Sequence, residues 1–323
     1  MAKSMFGKGR VFERTLEDCF IEYYDEKQAL NKSKATLTGY EETMKKWFNY
    51  LQYCEYSMLA KDVDLGYVLS FSHFNLNEGM KATTLNHYLR AIRAFLYWCM
   101  DRQYVRQFKV KLVAEQEAVK MTYSDEDCMK LLVKPRKNDS FVEWRTWAII
   151  NWVLATGNRA STICNIKIGD VNYAKKEVYI NRTKNNKASI LPLSLALANA
   201  LQEYTKMWLY NFGPNDWLFP SSTTADQLTV NALKHSIRRY NLARDVEITS
   251  IHAFRHTFAK NWIRNTGDVF RLQKVLGHST LEMTRRYVNM FSEDLKEGYE
   301  EFSPLDKLKR GSSRAQQIKR IGK

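Results

Sequence analysis

The sequence predicts a mainly α-helical chain with one small β-sheet, arranged as two domains. Three observations predict it: long stretches with apolar residues at helical spacing, a single short β-rich stretch in the second half, and a length of 323 residues, enough for two separate cores. Thr15 to Asn31 places Leu16, Phe20, Tyr23 and Tyr24 close to a helical period. Ser33 to Tyr53 repeats the pattern with Tyr40, Met44, Trp47 and Leu51, and Thr83 to Tyr104 with Leu85, Tyr88, Leu89, Ile92, Phe95 and Trp98. Residues 107–122 lack a clear period and carry mixed charge, which predicts a linker. The expected organisation is a basic arm at 1–10, a helical domain at 11–110, a linker at 111–122, a second domain at 123–305 and a basic tail at 306–323.

The second domain opens at Ser124-Asp-Glu-Asp, a plausible helix start. Phe141 to Ala155 is apolar nearly all round, with Trp144, Trp147 and Trp152, and predicts a buried helix ended by Gly157. Asp170 to Ile180 and Ala188 to Leu193 are β-rich and joined by the polar Thr183 to Lys187, which reads as a hairpin. Helices resume at Ser194 to Leu209, Thr229 to Ala243, Ser250 to Asn265 and Asp268 to Leu276. Ser279-Thr-Leu-Glu282 is a capping-box pattern opening a last short helix that carries Tyr287.

Composition narrows the function. Apolar residues at 45% and aromatics at 13% suit a globular chain rather than a disordered one. Fifty Lys and Arg against 35 Asp and Glu leave a net charge of +15, which favours a polyanionic partner, nucleic acid first. An acidic membrane surface is the rival, but no long basic amphipathic segment and no apolar run of bilayer length stands out. The start, MAKSMFGKGR, has no signal-peptide pattern, and five scattered cysteines form no CxxC pair, so reduced thiols in a cytoplasmic protein are expected. On the helical domain, Lys34, Lys45, Lys46, Lys81, Arg90 and Arg93 each read equally well as a solvated helix face; together they suit phosphate contacts, which position a protein without reading sequence.

The chemistry concentrates between His252 and Tyr287. In Ile251-His-Ala-Phe-Arg-His-Thr-Phe, His252 and Arg255 are three apart and share a helix face, while Phe254, Phe258 and Trp262 supply the buried one. Thr249 or Ser250 can cap this helix and Asp268 the next, with Gly277 as its terminal glycine, so His278 falls in a turn facing a cleft. His252 and His256 have the spacing of an HExxH zinc site, but Ala253 replaces its glutamate and no cysteine is near, so zinc is disfavoured and His256 reads equally well as a hydrogen-bonded core residue. Upstream, Arg159 follows Ala155-Thr-Gly-Asn, a weak signal by itself.

Together, the ATGxR segment, the TKxxK hairpin, HxxRHTFA and LGHSTxxxTxxY, in this order, resemble the catalytic domain of the tyrosine recombinase (phage integrase) family over about residues 123–290. The preceding helical segment resembles, more loosely, that family's core-binding domain. The resemblance implies Arg159 and Arg255 as a phosphate clamp, Lys184 as the hairpin lysine, His252 and His278 as further polar residues and Tyr287 as the nucleophile. Physical chemistry agrees: phosphoryl transfer asks for positioning and for cations around the oxygens, and two guanidiniums offer bidentate donors that need no metal ion or ATP beside them. A phenol near pKa 10 is about three units from ionised at neutral pH, roughly 4 kcal/mol, so a base and the clamp must lower that cost. His252 is the expected base, His278 a donor to the phosphate, and Lys184 the acid for the departing 5′ oxygen, with Lys187 as its alternate.

The family often carries Glu or Asp three residues after the first arginine, where this chain has Thr162, which puts the support of Arg159 in doubt. The resemblance further implies a homotetramer on DNA, strand exchange through a Holliday junction, mobile-element integration or excision in a bacterial or phage setting close to the nucleoid, and an accessory excision factor. A type IB topoisomerase-like relaxation activity, a chromosome-dimer resolution recombinase and a non-enzymatic DNA-binding repressor are the alternatives. Phe291 to Phe302, acidic with apolar residues at helical spacing, reads as core by period and as a neighbour-docking helix by resemblance.

Overall fold

A computed structural model describes residues 14–115, 121–180, 188–265, 267–278 and 280–290, and within them the segments just read as helical close into helices. The arm at 1–10, the hairpin turn with Lys184 and Lys187, the capping serine Ser279, the 291–302 segment and the tail lie outside the described residues. The chain divides into two compact units, residues 1–118 and 119–323.

The first unit holds α1 (Leu16–Ala29), α2 (Lys34–Tyr53), α3 (Leu65–Asn77) and α4 (Ala82–Asp101). Side chains start three of them: Thr15 forms a reciprocal capping box with Asp18, Ser33 accepts from the Thr36 amide, and Asp64 from the Gly66 amide. Tyr23, Trp47, Phe71 and Phe95 fill the core between the four helices. The third helix lacks a polar face for the sequence to show, because Leu65, Tyr67, Val68, Leu69, Phe71, Phe74 and Leu76 surround it. Residues after α4 do not run free. Asn86 pairs its carboxamide with both backbone groups of Val113, at 2.7 and 2.9 Å, as a strand neighbour would, and Val110 is buried. Residues 107–115 are thereby held without secondary structure of their own.

The second unit contains α5 (Asp125–Leu132), α6 (Phe141–Thr156), α7 (Ala160–Ile163), β1 (Val171–Asn172), β2 (Glu177–Ile180), β3 (Ser189–Pro192), α8 (Leu195–Trp208), α9 (Val230–Leu242), α10 (Ile251–Arg264), α11 (Val269–Leu276) and α12 (Leu281–Met290). The strands form an antiparallel sheet in the order β1-β2-β3, with Val178 opposite Leu191. The Asp170 to Ile180 stretch is thus two strands and a turn, in which Lys176 takes a left-handed conformation at φ 54°. Helix α6 is the axis of this unit, with Ala148, Ile149, Ile150, Trp152 and Val153 fully buried among α8, α9 and α10. Among the described residues no helix is long and apolar enough to cross a membrane.

Candidate active site

Gly157 ends α6 in the left-handed region at φ 63°, and a Cβ there would stand 2.6 Å from Phe258 and 2.7 Å from Leu276. The sharp stop delivers Arg159 to the position just before α7. Trp152 steadies the turn by donating its indole N–H to Asn158 Oδ1 at 3.0 Å. Gly157→Ala combines left-handed strain with a clash, so it is expected to destabilise the second unit by about 2–4 kcal/mol, read as a lowered melting temperature.

Arg255 comes from the buried face of α10 and is 5% exposed. Its Nη1 donates to the Gly157 carbonyl at 2.7 Å and its Nη2 to the Leu276 carbonyl at 2.9 Å. Arg159 reaches the same end of α11 with longer bonds, 3.4 Å to the Leu276 carbonyl and 3.5 Å to that of Gly277. The negative end of the α11 dipole therefore anchors both guanidiniums where a carboxylate at Thr162 would have served. Burial and the neighbouring Arg159 pull Arg255 down to about 10, which leaves it charged at neutral pH.

Gly277, at φ 62°, turns the chain into His278. His278 Nε2 lies 2.8 Å from Arg255 Nη2 and Nδ1 lies 2.8 Å from Thr284 Oγ1. A guanidinium only donates, so Nε2 accepts, and Nδ1 carries the proton given to Thr284. The expected phosphate donor thus has Nε2 engaged as an acceptor here. Thr284 is fully buried; it stands in the LGHSTxxxTxxY pattern, but nothing in residue type announces that it orients an imidazole.

Tyr287 is 4% exposed, its ring packed with Ala259, Leu272 and Leu276 and parallel to His278 at 6.1 Å. Its Oη lies 2.9 Å from His256 Nδ1. Burial raises the phenol's pKa, and the charge of Arg255, its hydrogen bond to the phenol and the charge of Arg159 only partly counter it, so the expected lowering is not reached. His252, the expected base, is exposed on the first turn of α10, and its described contacts do not include Tyr287. Partial shielding from water, then Lys234, Arg255 and Arg159, lower its pKa and favour the neutral ring.

Phe254 is buried as expected, but Phe258 and Trp262 are only half-buried; they line a surface cavity of about 390 Å³ with Leu154, Asn261, Asn265 and Gly267. Ser250 occupies the cap position of α10 without a capping bond from its side chain, whereas Asp268 accepts from the Arg271 amide. Among the described residues no group of three His, Cys, Asp or Glu side chains is placed to hold a metal ion.

In the first unit the basic residues lie on two helices that pack together. Lys45 is exposed on α2, Lys46 on α2 sets its ammonium 4.9 Å above the Tyr88 ring of α4, and Lys81 precedes α4. Arg90 is exposed on α4, 3.4 Å from Glu115, and Arg93 on the same helix is half-buried.

Residues 123–293, just over half of the chain, match the model of the phage integrase family. The chain belongs to that family. Its enzyme class is that of the tyrosine-type site-specific recombinases. The chain is similar to the tyrosine recombinase XerD of Haemophilus ducreyi, 28% identical over 237 residues that cover 71% of this chain and 79% of the relative. It is also similar to XerD of Pasteurella multocida, 26% identical over 280 residues, 84% of this chain and 93% of that one. Its fold is shared with a lambda integrase tetramer bound to a Holliday junction, at a TM-score of 0.67 and 14% identity, over 86% of this chain and 78% of that one. It is shared too with XerH recombinase bound to a palindromic substrate, at a TM-score of 0.66 and 20% identity, over 88% and 82% of the two chains.

Proposed function

We propose that this family member cleaves and rejoins specific DNA sites through Tyr287, integrating or excising a mobile element. The observation that carries the reading is the convergence of Arg159, Arg255, His278 and Tyr287 around the end of α11. In the proposed step Tyr287 Oη attacks the phosphorus and forms a 3′-phosphotyrosyl ester. The bond from phosphorus to the 5′ oxygen breaks, and Lys184, with Lys187 as alternate, gives that oxygen its proton. Arg159 and Arg255 hold the non-bridging oxygens, and His252 and His278 supply further polar contacts. The ester stores the bond energy, so a new 5′-hydroxyl reverses the step without ATP, and the charge work falls to guanidiniums rather than to a metal ion.

Lys45, Lys46, Lys81, Arg90 and Arg93 would position the duplex through its phosphates. Four copies acting through a Holliday junction in the cytoplasm, close to the nucleoid, complete the reading, with an accessory factor for excision. The lambda integrase tetramer on a Holliday junction supports this assembly. The similarity to proteins named tyrosine recombinase XerD favours a second reading, chromosome-dimer resolution.

Sequencing DNA covalently trapped on the protein in its host tests both. Recovered ends at the borders of an element support integration or excision, and a single chromosomal locus supports dimer resolution. A Tyr287→Phe protein is expected to yield no adduct, and an adduct on that protein would overturn the choice of nucleophile.

A further inference from the structure

We propose that His256, rather than His252, takes the proton from Tyr287 as the nucleophile attacks. The inference rests on the recombinase reading above and assigns a further catalytic residue to it. His256 Nδ1 stands 2.9 Å from Tyr287 Oη, with the two rings 5.5 Å apart and inclined at 49°. That is hydrogen-bond reach of the proton to be moved, the first requirement of a general base.

The other histidines are less well placed. His278 uses Nε2 to accept from Arg255 and turns Nδ1 to Thr284. His252 lies four residues before His256, about 6 Å along α10, and is exposed. Ala259, Leu272 and Leu276 pack the Tyr287 ring and hold its hydroxyl beside His256. Burial opposes ionisation of this phenol, so a neutral base beside it offsets a cost that the arginines leave standing.

The step balances. Neutral His256, with its proton on Nε2, receives the phenolic proton at Nδ1 as the bond from Oη to phosphorus forms. The bond from phosphorus to the 5′ oxygen breaks, and that oxygen takes a proton from the hairpin lysine. On rejoining, the imidazolium returns its proton to Oη.

Asparagine at 256 separates proton transfer from hydrogen bonding, since its carboxamide oxygen falls near the place of Nδ1 and accepts a bond but takes no proton at neutral pH. The probe is a duplex enriched by this protein from a randomised pool, nicked so that cleavage is trapped, and made with either oxygen or sulfur at the 5′ bridging position mapped from the wild-type adduct. A sulfur leaving group needs no acid. His256→Asn is expected to cleave the oxygen substrate about 10²–10⁴-fold more slowly than wild type and the sulfur substrate with the same deficit. Lys184→Ala is expected to recover on sulfur. His256→Gln repeats the measurement should the asparagine variant melt at the assay temperature.

Cleavage by both variants within about threefold of wild type overturns the proposal, as does rescue of either by sulfur, which would make His256 an acid. If wild-type protein forms no adduct on any enriched duplex, the recombinase reading itself fails and this inference falls with it.

Discussion

Arg255→Ala is expected to slow DNA cleavage by about 10³–10⁵-fold while most of the affinity for DNA survives, as measured by adduct formation beside a binding titration. Affinity is spread over many phosphate contacts, whereas the guanidinium acts on one phosphate at the moment charge builds on it. The geometry makes this residue hard to replace. One nitrogen holds the Gly157 carbonyl, the other holds Leu276, and the latter also donates to His278. Arg255→Lys, a single point charge, cannot reproduce that fork and is expected to lose at least about 10²-fold. Cleavage by the alanine variant within tenfold of wild type would remove Arg255 from the reaction.

Trp152→Ala is expected to have the largest effect on stability, a loss of about 3–5 kcal/mol in the second unit, with the melting transition as the measurement. The indole is fully buried in α6 and nearly perpendicular to the Phe219 ring, with ring centroids 5.8 Å apart. Its N–H also holds Asn158, the neighbour of Arg159, so folded protein at low temperature is expected to cleave more slowly as well. Trp152→Phe restores most of the volume but not the hydrogen bond. Full activity in that variant would show that Asn158 needs no support.

Much of this was readable in the residues because each signal had a physical cause confined to a short window. Gly157 and Gly277 follow apolar helical runs and take the left-handed conformation that ends a helix, Asp268 caps α11, and the three tryptophans of α6 could only be buried. The residues were silent where the cause lay elsewhere in the chain. Helix α3 has apolar residues all round, so its burial depends on helices the pattern does not name. His252 and His256 are equivalent as letters; α12, folding back onto α10, brings Tyr287 to one and not to the other. Arg159 leans not on a side chain but on the backbone carbonyls of Leu276 and Gly277 at the end of α11, and no residue type encodes a carbonyl.

Carbonyl anchors leave more positive charge in the cleft than a carboxylate would. A carboxylate anchor would cancel a full unit of positive charge, whereas the end of a helix presents only about half a unit, shared here by two arginines. Among the described residues neither guanidinium forms an ion pair with an acid. The cleft thus keeps most of two positive charges to attract counterions, and small multivalent anions such as sulfate become natural competitors of the scissile phosphate. Ionic composition then bears on the reacting site directly, beyond its general screening of the duplex.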